Sequence, residues 1–311
     1  MDESDVNEAK NIWLEQYRIY CSDINFPSYW GEDSSILEKF LSLKVKNRNA
    51  IVAKIENKVV GYLSYDEFPF HGEKSVFCPA IAHSAIEEMK EIVYSELYKY
   101  ISKQWVYKNV LNHMWTIFYN DQKLKTTLFD LGFGSYLIDA VRVCNGKDDR
   151  QFKYDIKKAT LNNVNNLYQL VKESQAYYAS APLFLKRDDV TCEDIEELIR
   201  KNGIFIAWDK GEAVGFINVS TAEHNNSINL TVINSGLLDE IGAYIKLDYR
   251  SRGLGIELLE VAKNYCHNTN APYIHVDFET ANLYANKFWK NHLTPMLHSM
   301  RRTINKDIND R

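Results

Sequence analysis

Apolar and polar residues follow two different periods along this chain, and the order in which the periods change predicts its elements. In the second half, Phe152-Lys-Tyr-Asp-Ile-Lys157 alternates with period two, the pattern of a half-buried strand. Thr160 is placed to cap a helix running to about Ser174, and Thr191-Cys-Glu-Asp194 reads as a capping box for a helix over 190–201. Gly203-Ile-Phe-Ile-Ala-Trp208 and Ala213-Val-Gly-Phe-Ile-Asn-Val219, joined by Asp209-Lys-Gly-Glu212, predict a hairpin. Residues 240–247 then predict a strand and 254–266 an apolar-periodic helix. A buried strand over 273–277, a helix over 283–291 and a last strand over 296–303 complete the half.

The first half gives much the same order. Residues 49–64 form a hairpin pattern in which Val59-Val-Gly-Tyr62 matches Ala213-Val-Gly-Phe216. A helix over 85–102 stands where 254–266 stands. Trp115-Thr-Ile-Phe118 answers Tyr273 to Asp277, and Phe129-Asp-Leu-Gly-Phe133 answers Trp289-Lys-Asn-His-Leu293. The repeated order points to an internal duplication, with two unrelated α/β domains as the alternative. Asn145-Gly-Lys-Asp-Asp-Arg150 is polar between apolar segments. The expected domains are therefore 1–145 and 151–311, both of the α/β (α+β) class, each with a mixed, mainly antiparallel sheet flanked by helices. In the first of them Trp13, Tyr17 and Tyr20 recur at helical spacing and predict a core stripe.

Composition narrows the function. The 311 residues, 45% hydrophobic and 25% charged, suffice for two cores. A formal charge of −5 leaves no global basic surface, so neither nucleic acid nor a membrane is an expected partner. Met1-Asp2-Glu3-Ser4-Asp5 lacks the order of a secretory signal, and no apolar run approaches the ~20 residues of a membrane span. Cys21, Cys78, Cys144, Cys192 and Cys266 are isolated, with no CxxC pair, which argues against a zinc site or a disulfide framework. The expectation is a cytoplasmic protein with no obligate metal; nothing in the sequence marks an oligomeric state.

The segment that carries chemistry is Arg250-Ser-Arg-Gly-Leu-Gly255, a glycine-rich turn between a strand and a helix. Glycines let the turn tighten and its N–H groups approach a ligand, and the helix N-terminus adds about half a positive charge. Such a nest suits a pyrophosphate; two convenient glycines in a plain loop are the alternative. The stretch from Glu240 to Leu259 around it resembles the acetyl-coenzyme A motif of Gcn5-related (GNAT-type) acetyltransferases, Arg/Gln-x-x-Gly-x-Gly/Ala after an apolar strand. Arg250, Gly253 and Gly255 fill its fixed positions, and Asn282-x-x-Ala285-x-x-Phe288-Trp289 resembles the family's next helix. The resemblance covers residues 152–303. The first half has no Arg-x-x-Gly-x-Gly and looks like a degenerate copy, so the whole resembles a tandem GNAT protein. A dinucleotide fold competes on Gly253 and Gly255, but Leu258 stands where its third glycine belongs and too few residues follow Asp277.

The resemblance implies transfer of an acetyl group from acetyl-coenzyme A, as cosubstrate, to a small-molecule or peptide amine. It implies cofactor contacts at Ala243, Tyr244, Ile245, Arg250, Ser251, Arg252, Gly253, Leu254, Gly255 and Asn282. Backbone at Ala243 to Ile245 is left free for pantetheine where the motif strand splays from its neighbour, and the Tyr244 or Ile245 N–H polarises the thioester. Glu240 resembles the general base of histone-type members; a surface carboxylate at a strand end is its other reading. Trp289 departs from the pattern, because many members carry there a tyrosine that protonates the leaving thiolate. Tyr284 lies five residues earlier on another face. Tyr177 and Tyr178 lie where such proteins often recognise the acceptor, with simple packing as the alternative. His275 and Asp277 share one strand, and His224 and His292 have no partner visible in sequence. A non-catalytic acyl-coenzyme A-binding or regulatory protein is the alternative function.

Overall fold

A computed structural model of the chain describes residues 1–24, 29–144, 146 and 151–309; the rest of the polar break, Asn145 and residues 147–150, lies outside them. The elements of the first half are α1 (Val6–Asp23), α2 (Tyr29–Glu32), α3 (Ser34–Lys46), β1 (Ala50–Ile55), β2 (Lys58–Ser64), β3 (Asp66–Phe70), β4 (Glu73–Cys78), β5 (His83–Ala85), α4 (Lys90–Tyr107), β6 (Asn112–Phe118), α5 (Gln122–Asp130) and β7 (Gly134–Val143). Those of the second are β8 (Asp155–Lys158), α6 (Val164–Ala179), α7 (Cys192–Lys201), β9 (Gly203–Asp209), β10 (Glu212–Thr221), β11 (Gly236–Leu237), β12 (Ala243–Ile245), α8 (Leu254–Asn268), β13 (Tyr273–Glu279), α9 (Leu283–His292) and β14 (Thr294–Thr303). The mixed α/β class expected from patterning is the one found.

Local chemistry sets several of these boundaries. Thr191 and Asp194 cap each other reciprocally at the start of α7, and Thr160 with Asn163 does the same ahead of α6. Helix α6 continues past Ser174 to Ala179 and stops before Pro182. The helix expected from residue 85 begins at Lys90 instead, because Ala85 is paired with Gly61 in a sheet. The strand expected over 240–247 shrinks to β12. Glu240 and Gly242 have φ of +55° and +62°, a conformation that cannot continue a strand.

The chain divides into two compact units. One comprises Met1–Asp139, Asn226–Leu230 and Thr294–Arg311; the other comprises Ala140–Asn225 and Thr231–Leu293. In the first unit β3 is antiparallel to β4, β4 parallel to β6, and β6 antiparallel to β14 from Asn112↔Thr303 to Phe118↔Leu297. A separate sheet joins β1, β2 and β5. Residues 73–85 therefore change partner midway: β4 lies on β6, whereas β5 turns to β2.

That change of partner opens a cleft, and α1 fills it. Trp13, Tyr17 and Tyr20 are buried, as their spacing predicts. The Trp13 ring stacks on Tyr17 with centroids 4.8 Å apart, and Tyr20 lies 4.3 Å from Phe118 of β6. The peptide carbonyls of the bend are occupied by side chains: Trp13 Nε1 donates to Ala80 O at 2.8 Å, Tyr62 to Ile81 O and Ser64 to Ala82 O at 3.0 Å each. Lys90, first residue of α4 and only 3% exposed, pairs with Asp121 (3.2 Å) and Glu87 (2.6 Å) and donates to the Tyr20 hydroxyl (2.8 Å).

The second unit also has a segment that parts from a neighbouring strand, here without changing its other partner. Strands β8, β9 and β10 run antiparallel, and β10 takes β11 at Ser220–Thr221 and β12 at Gly215–Ile217. β11 lies parallel on β13, while β12 pairs with β10 alone among the described strands. Its core on the α6 and α7 side gathers Leu167, Leu170, Ile195, Ile206, Phe216 and Tyr244.

Candidate functional site

The turn 250–255 follows β12 and opens α8. Ser251 and Gly253 have φ of +58° and +91°, and Gly253 is the N-cap. Nothing lies within 4 Å of a Cβ built on Gly253, so glycine is required there for its backbone angle, with open space outside. Gly255 answers a different need: its Cβ would come within 3.0 Å of the Phe288 ring, so it makes room for α9. Leu254 is buried and anchors the helix start, whereas Ser251, Arg252 and Gly253 are exposed. Among the described residues the N–H groups of 251–255 have no backbone partner. An exposed turn of N–H groups without backbone partners, at the positive end of a 15-residue helix, has the geometry to hold an anion.

Strand β12 presents a free edge leading to that turn. Lys246 N–H donates to Val214 O (3.0 Å) and Asn218 N–H to Gly242 O (2.9 Å), which fixes the phase of the ladder. Tyr244 therefore turns its peptide groups to Phe216, and those of Ala243 and Ile245 point away from β10. The Tyr244 side chain itself is buried in the core against α6.

Arg250 does not reach out to solvent. Its Nε donates to Ile245 O at 3.0 Å, and its guanidinium carbon stands 4.3 Å from the Tyr177 ring, 5.0 Å from Tyr284 and 5.7 Å from Tyr244. Asn282 is the N-cap of α9, accepting from Ala285 N–H at 3.3 Å, and the Tyr177 hydroxyl donates to the same oxygen at 3.1 Å. Ile245, Arg250 and Asn282, separated in sequence, thus meet around Tyr177. Tyr178 lies against Arg187, 3.9 Å from ring to guanidinium, and burial pushes its hydroxyl up to about 12. Trp289 is buried core, and Tyr284 is exposed beside Arg250.

At the other end of β12, where the chain parts from β13, stand two adjacent carboxylates. Leu238 N–H still bonds to His275 O on β13 (2.9 Å), and the turn at Gly242, closed on Asp239 O (2.7 Å), carries the chain away. The Glu240 carboxylate accepts from Asn202 (2.5 Å) and Asn218 (3.1 Å), so its Oε2 is held by two amides. Asp239 accepts from the Ser220 hydroxyl at 2.6 Å; burial, and then the charge of Glu240 beside it, pushes its carboxyl above the ordinary range. Sequence reading missed Asp239. No pattern distinguishes two neighbouring acids; only the register that sets Ser220 opposite Leu237 does. His275 is buried and Asp277 exposed on β13; His224 is exposed in the loop that follows β10. Burial lowers the His292 imidazole below its ordinary value.

Similarity to known proteins agrees with this geometry. Residues 165–293 match the model of the acetyltransferase (GNAT) family. No curated protein matches the sequence. The fold is similar to a GCN5-related N-acetyltransferase from Sphaerobacter thermophilus at 10% identity, with 86% of each chain covered and a TM-score of 0.54. An acetyltransferase of the GNAT family from Colwellia psychrerythraea matches at 11% identity over 98% of each chain, with a TM-score of 0.48. The aminoglycoside N-acetyltransferase AAC(6')-Iy, in complex with CoA, matches at 19% identity over 44% of this chain and 88% of its own, with a TM-score of 0.36. The glycine turn and the strand that leaves its neighbour both lie inside the segment, residues 165–293, that is similar to the acetyltransferase (GNAT) family.

Proposed function

We propose that the protein transfers an acetyl group from acetyl-coenzyme A to the amine of a small molecule or peptide, using the site of the second unit. The observation that carries this reading is the continuity of β12's free edge with the exposed turn at Gly253. A ligand with an amide-bearing arm and a pyrophosphate needs both, in that order. Ala243 and Ile245 supply the edge. The N–H groups of Ser251 to Gly255, with Arg252 beside them, supply the anion site. In the reaction the amine nitrogen loses a proton to a carboxylate and bonds to the acetyl carbon, and the carbon–sulfur bond breaks to release the thiolate. Glu240 and Asp239 both stand where the strands part. Asp239 is the base preferred here, because burial and the neighbouring charge of Glu240 raise its carboxyl above the ordinary range, while the Glu240 carboxylate is engaged by the Asn202 and Asn218 amides.

The same reading makes the first unit a degenerate copy whose own cleft is filled, so that residues 1–145 act as a domain without cofactor beside the transferase domain of 151–311. Free thiols at all five cysteines fit a reducing, cytoplasmic location. Calorimetry tests the site, with one coenzyme A bound per chain as the expected result. Thiol release from acetyl-coenzyme A across a panel of amines tests the chemistry. One observation favours a second reading, a non-catalytic acyl-coenzyme A-binding protein: Trp289 offers no acid to the leaving thiolate. Binding of coenzyme A with no thiol release on any amine is the result that selects it.

A further inference from the structure

We infer that Cys144 and Cys266 form an oxidation site, in which a peroxide reacts at Cys144 and the two sulfurs then close a reversible disulfide within the second unit. The inference stands on the geometry of that unit and is independent of the acetyl-transfer reading. Cys144 follows the last residue of β7, and Cys266 lies in the last turn of α8, 122 positions later. Two hydrogen bonds on one turn hold their backbones together. The Ala271 N–H donates to Cys266 O (2.8 Å), and the Cys144 N–H donates to the next carbonyl, Pro272 O (3.1 Å). The two thiols are free, buried and in contact, with Cys266 donating its S–H to the Cys144 sulfur. The Cys266 sulfur is seated against β11, where a Cβ on Gly236 would come within 2.3 Å of it. Glycine at 236 therefore leaves the room that this sulfur fills.

The surroundings divide the roles. Arg142 and Lys263 both act on Cys144, and Glu260 pairs with the two cations at 3.1 and 2.5 Å. The hydrogen bond from Cys266, then these charges, hold the Cys144 thiol below its ordinary value although burial works the other way. The same hydrogen bond, then burial, pushes the Cys266 thiol well above its own. Cys144 is also 6% exposed against 1% for Cys266, so a small oxidant meets the more reactive sulfur first. The Cys144 thiolate attacks one peroxide oxygen; an S–O bond forms, the O–O bond breaks, and the departing hydroxide takes up the proton that Cys144 had lost. The Cys266 sulfur then attacks the sulfenic sulfur; the S–S bond forms, and the hydroxyl leaves as water with the Cys266 proton. Two thiols are oxidised and one peroxide is reduced to two waters. The bridge encloses β8 to β12, α6, α7 and most of α8 in one covalent loop, which restricts the unfolded chain and so stabilises the folded unit. A transient bridge of this kind is compatible with a reducing compartment.

The test is a disulfide map of the full chain. The protein is treated with a small excess of hydrogen peroxide, alkylated under denaturing conditions, digested and read by mass spectrometry. The expected product is a peptide pair joining Cys144 to Cys266 and released by dithiothreitol, with Cys21 and Cys192 unbridged although they are the less buried. Cys266→Ser is expected to stop at a Cys144 sulfenic acid that dimedone traps, and Cys144→Ser to leave Cys266 open to alkylation. Arg142→Gln, at a side chain 31% exposed, is expected to slow the reaction of Cys144 by ~2–10-fold. The oxidised chain is expected to melt ~5–15 °C above the reduced one, with the gain lost in dithiothreitol. Cys144 and Cys266 both open to alkylation, at a peroxide dose that oxidises free cysteine, overturns the inference. So does a bridge from either of them to another cysteine. A Cys144–Cys266 bridge that lowers the melting temperature overturns it too, because the pair must then have closed in an opened chain.

Discussion

In each unit a segment parts from a neighbouring strand, β5 from β6 in the first and β12 from β13 in the second, and the two partings are closed by different means. In the first, the carbonyls of Ala80, Ile81 and Ala82 are taken by Trp13, Tyr62 and Ser64, and the helix beyond begins at Lys90, a buried cation with Asp121 and Glu87 as counter-charges. In the second, the helix begins at a left-handed glycine in open space, and the edge of β12 is covered by one arginine at Ile245 O. A cleft filled by a whole aromatic stripe is core. A cleft covered by a single side chain, one of whose buried nitrogens makes no hydrogen bond, is a candidate site. The parting of two strands is thus filled by core in the first unit and leaves an edge covered by one side chain in the second.

The contrast is tested most severely at Gly253. Gly253→Asp combines a left-handed backbone with a negative charge at the anion turn, and coenzyme A binding is expected to fall by at least ~100-fold in calorimetry. Two equal sites per native chain would erase the contrast altogether. Next come the two carboxylates. Asp239→Asn is expected to lower turnover ~10²–10⁴-fold once an acceptor is found, and Glu240→Gln by less, with coenzyme A affinity unchanged in both. A larger loss in Glu240→Gln reverses the assignment.

The pH dependence has a definite sign. Asp239 must lose its proton to act, so the rate of the native enzyme rises with pH through a value above the ordinary carboxylate range, and that limb is missing from Asp239→Asn. The raised value also means that the native state binds this proton more tightly than the unfolded chain. Stability from this group is present below the unfolded value, ~3.9, and is lost as pH rises through the folded one. Asp239→Asn is accordingly expected to melt higher than the parent at neutral pH, with the gain gone in acid; equal melting at both ends refutes the burial argument.

Trp13→Ala empties part of the first cleft. Loss of ~3–5 kcal/mol in urea unfolding is expected, with coenzyme A affinity untouched. A fall in affinity here breaks the separation of the two clefts. The smallest effect belongs to Gly255→Ala, which presses a methyl on Phe288 and is expected to cost ~1–3 kcal/mol while leaving binding nearly intact.

How much of this could be read from residues alone depended on the range of the interaction. Capping at Thr191, the hairpin of β9 and β10 and the core stripe at Trp13 are local, and periodicity exposed them. Gly253 and Gly255 were visible as a pair, but their unlike roles were not: one needs a positive φ, the other a neighbour, Phe288, thirty-three positions away. Arg250 was visible as a motif residue, while its fold onto Ile245 depends on Tyr177 and Tyr284 arriving from two helices. The strand at 294–303 was visible as a last strand over 296–303, yet a strand pattern says nothing of which sheet receives it.

That last strand has a bearing on how the protein is made. β14 pairs with β6 along seven consecutive positions, across separations that run from 179 residues at Phe118↔Leu297 to 191 at Asn112↔Thr303. At ~5–20 residues per second on the ribosome, β6 waits roughly 10–40 seconds for its partner. During that interval the nascent first unit carries an unpaired, apolar strand edge, the kind of surface that invites pairing with the wrong chain. Its hydrophobic side can gather early around Trp105 and Trp115, but its hydrogen-bonded ladder closes only after the second half of the chain has been synthesised. Slow synthesis, or a stop before residue 294, is thus a hazard for the unit made first.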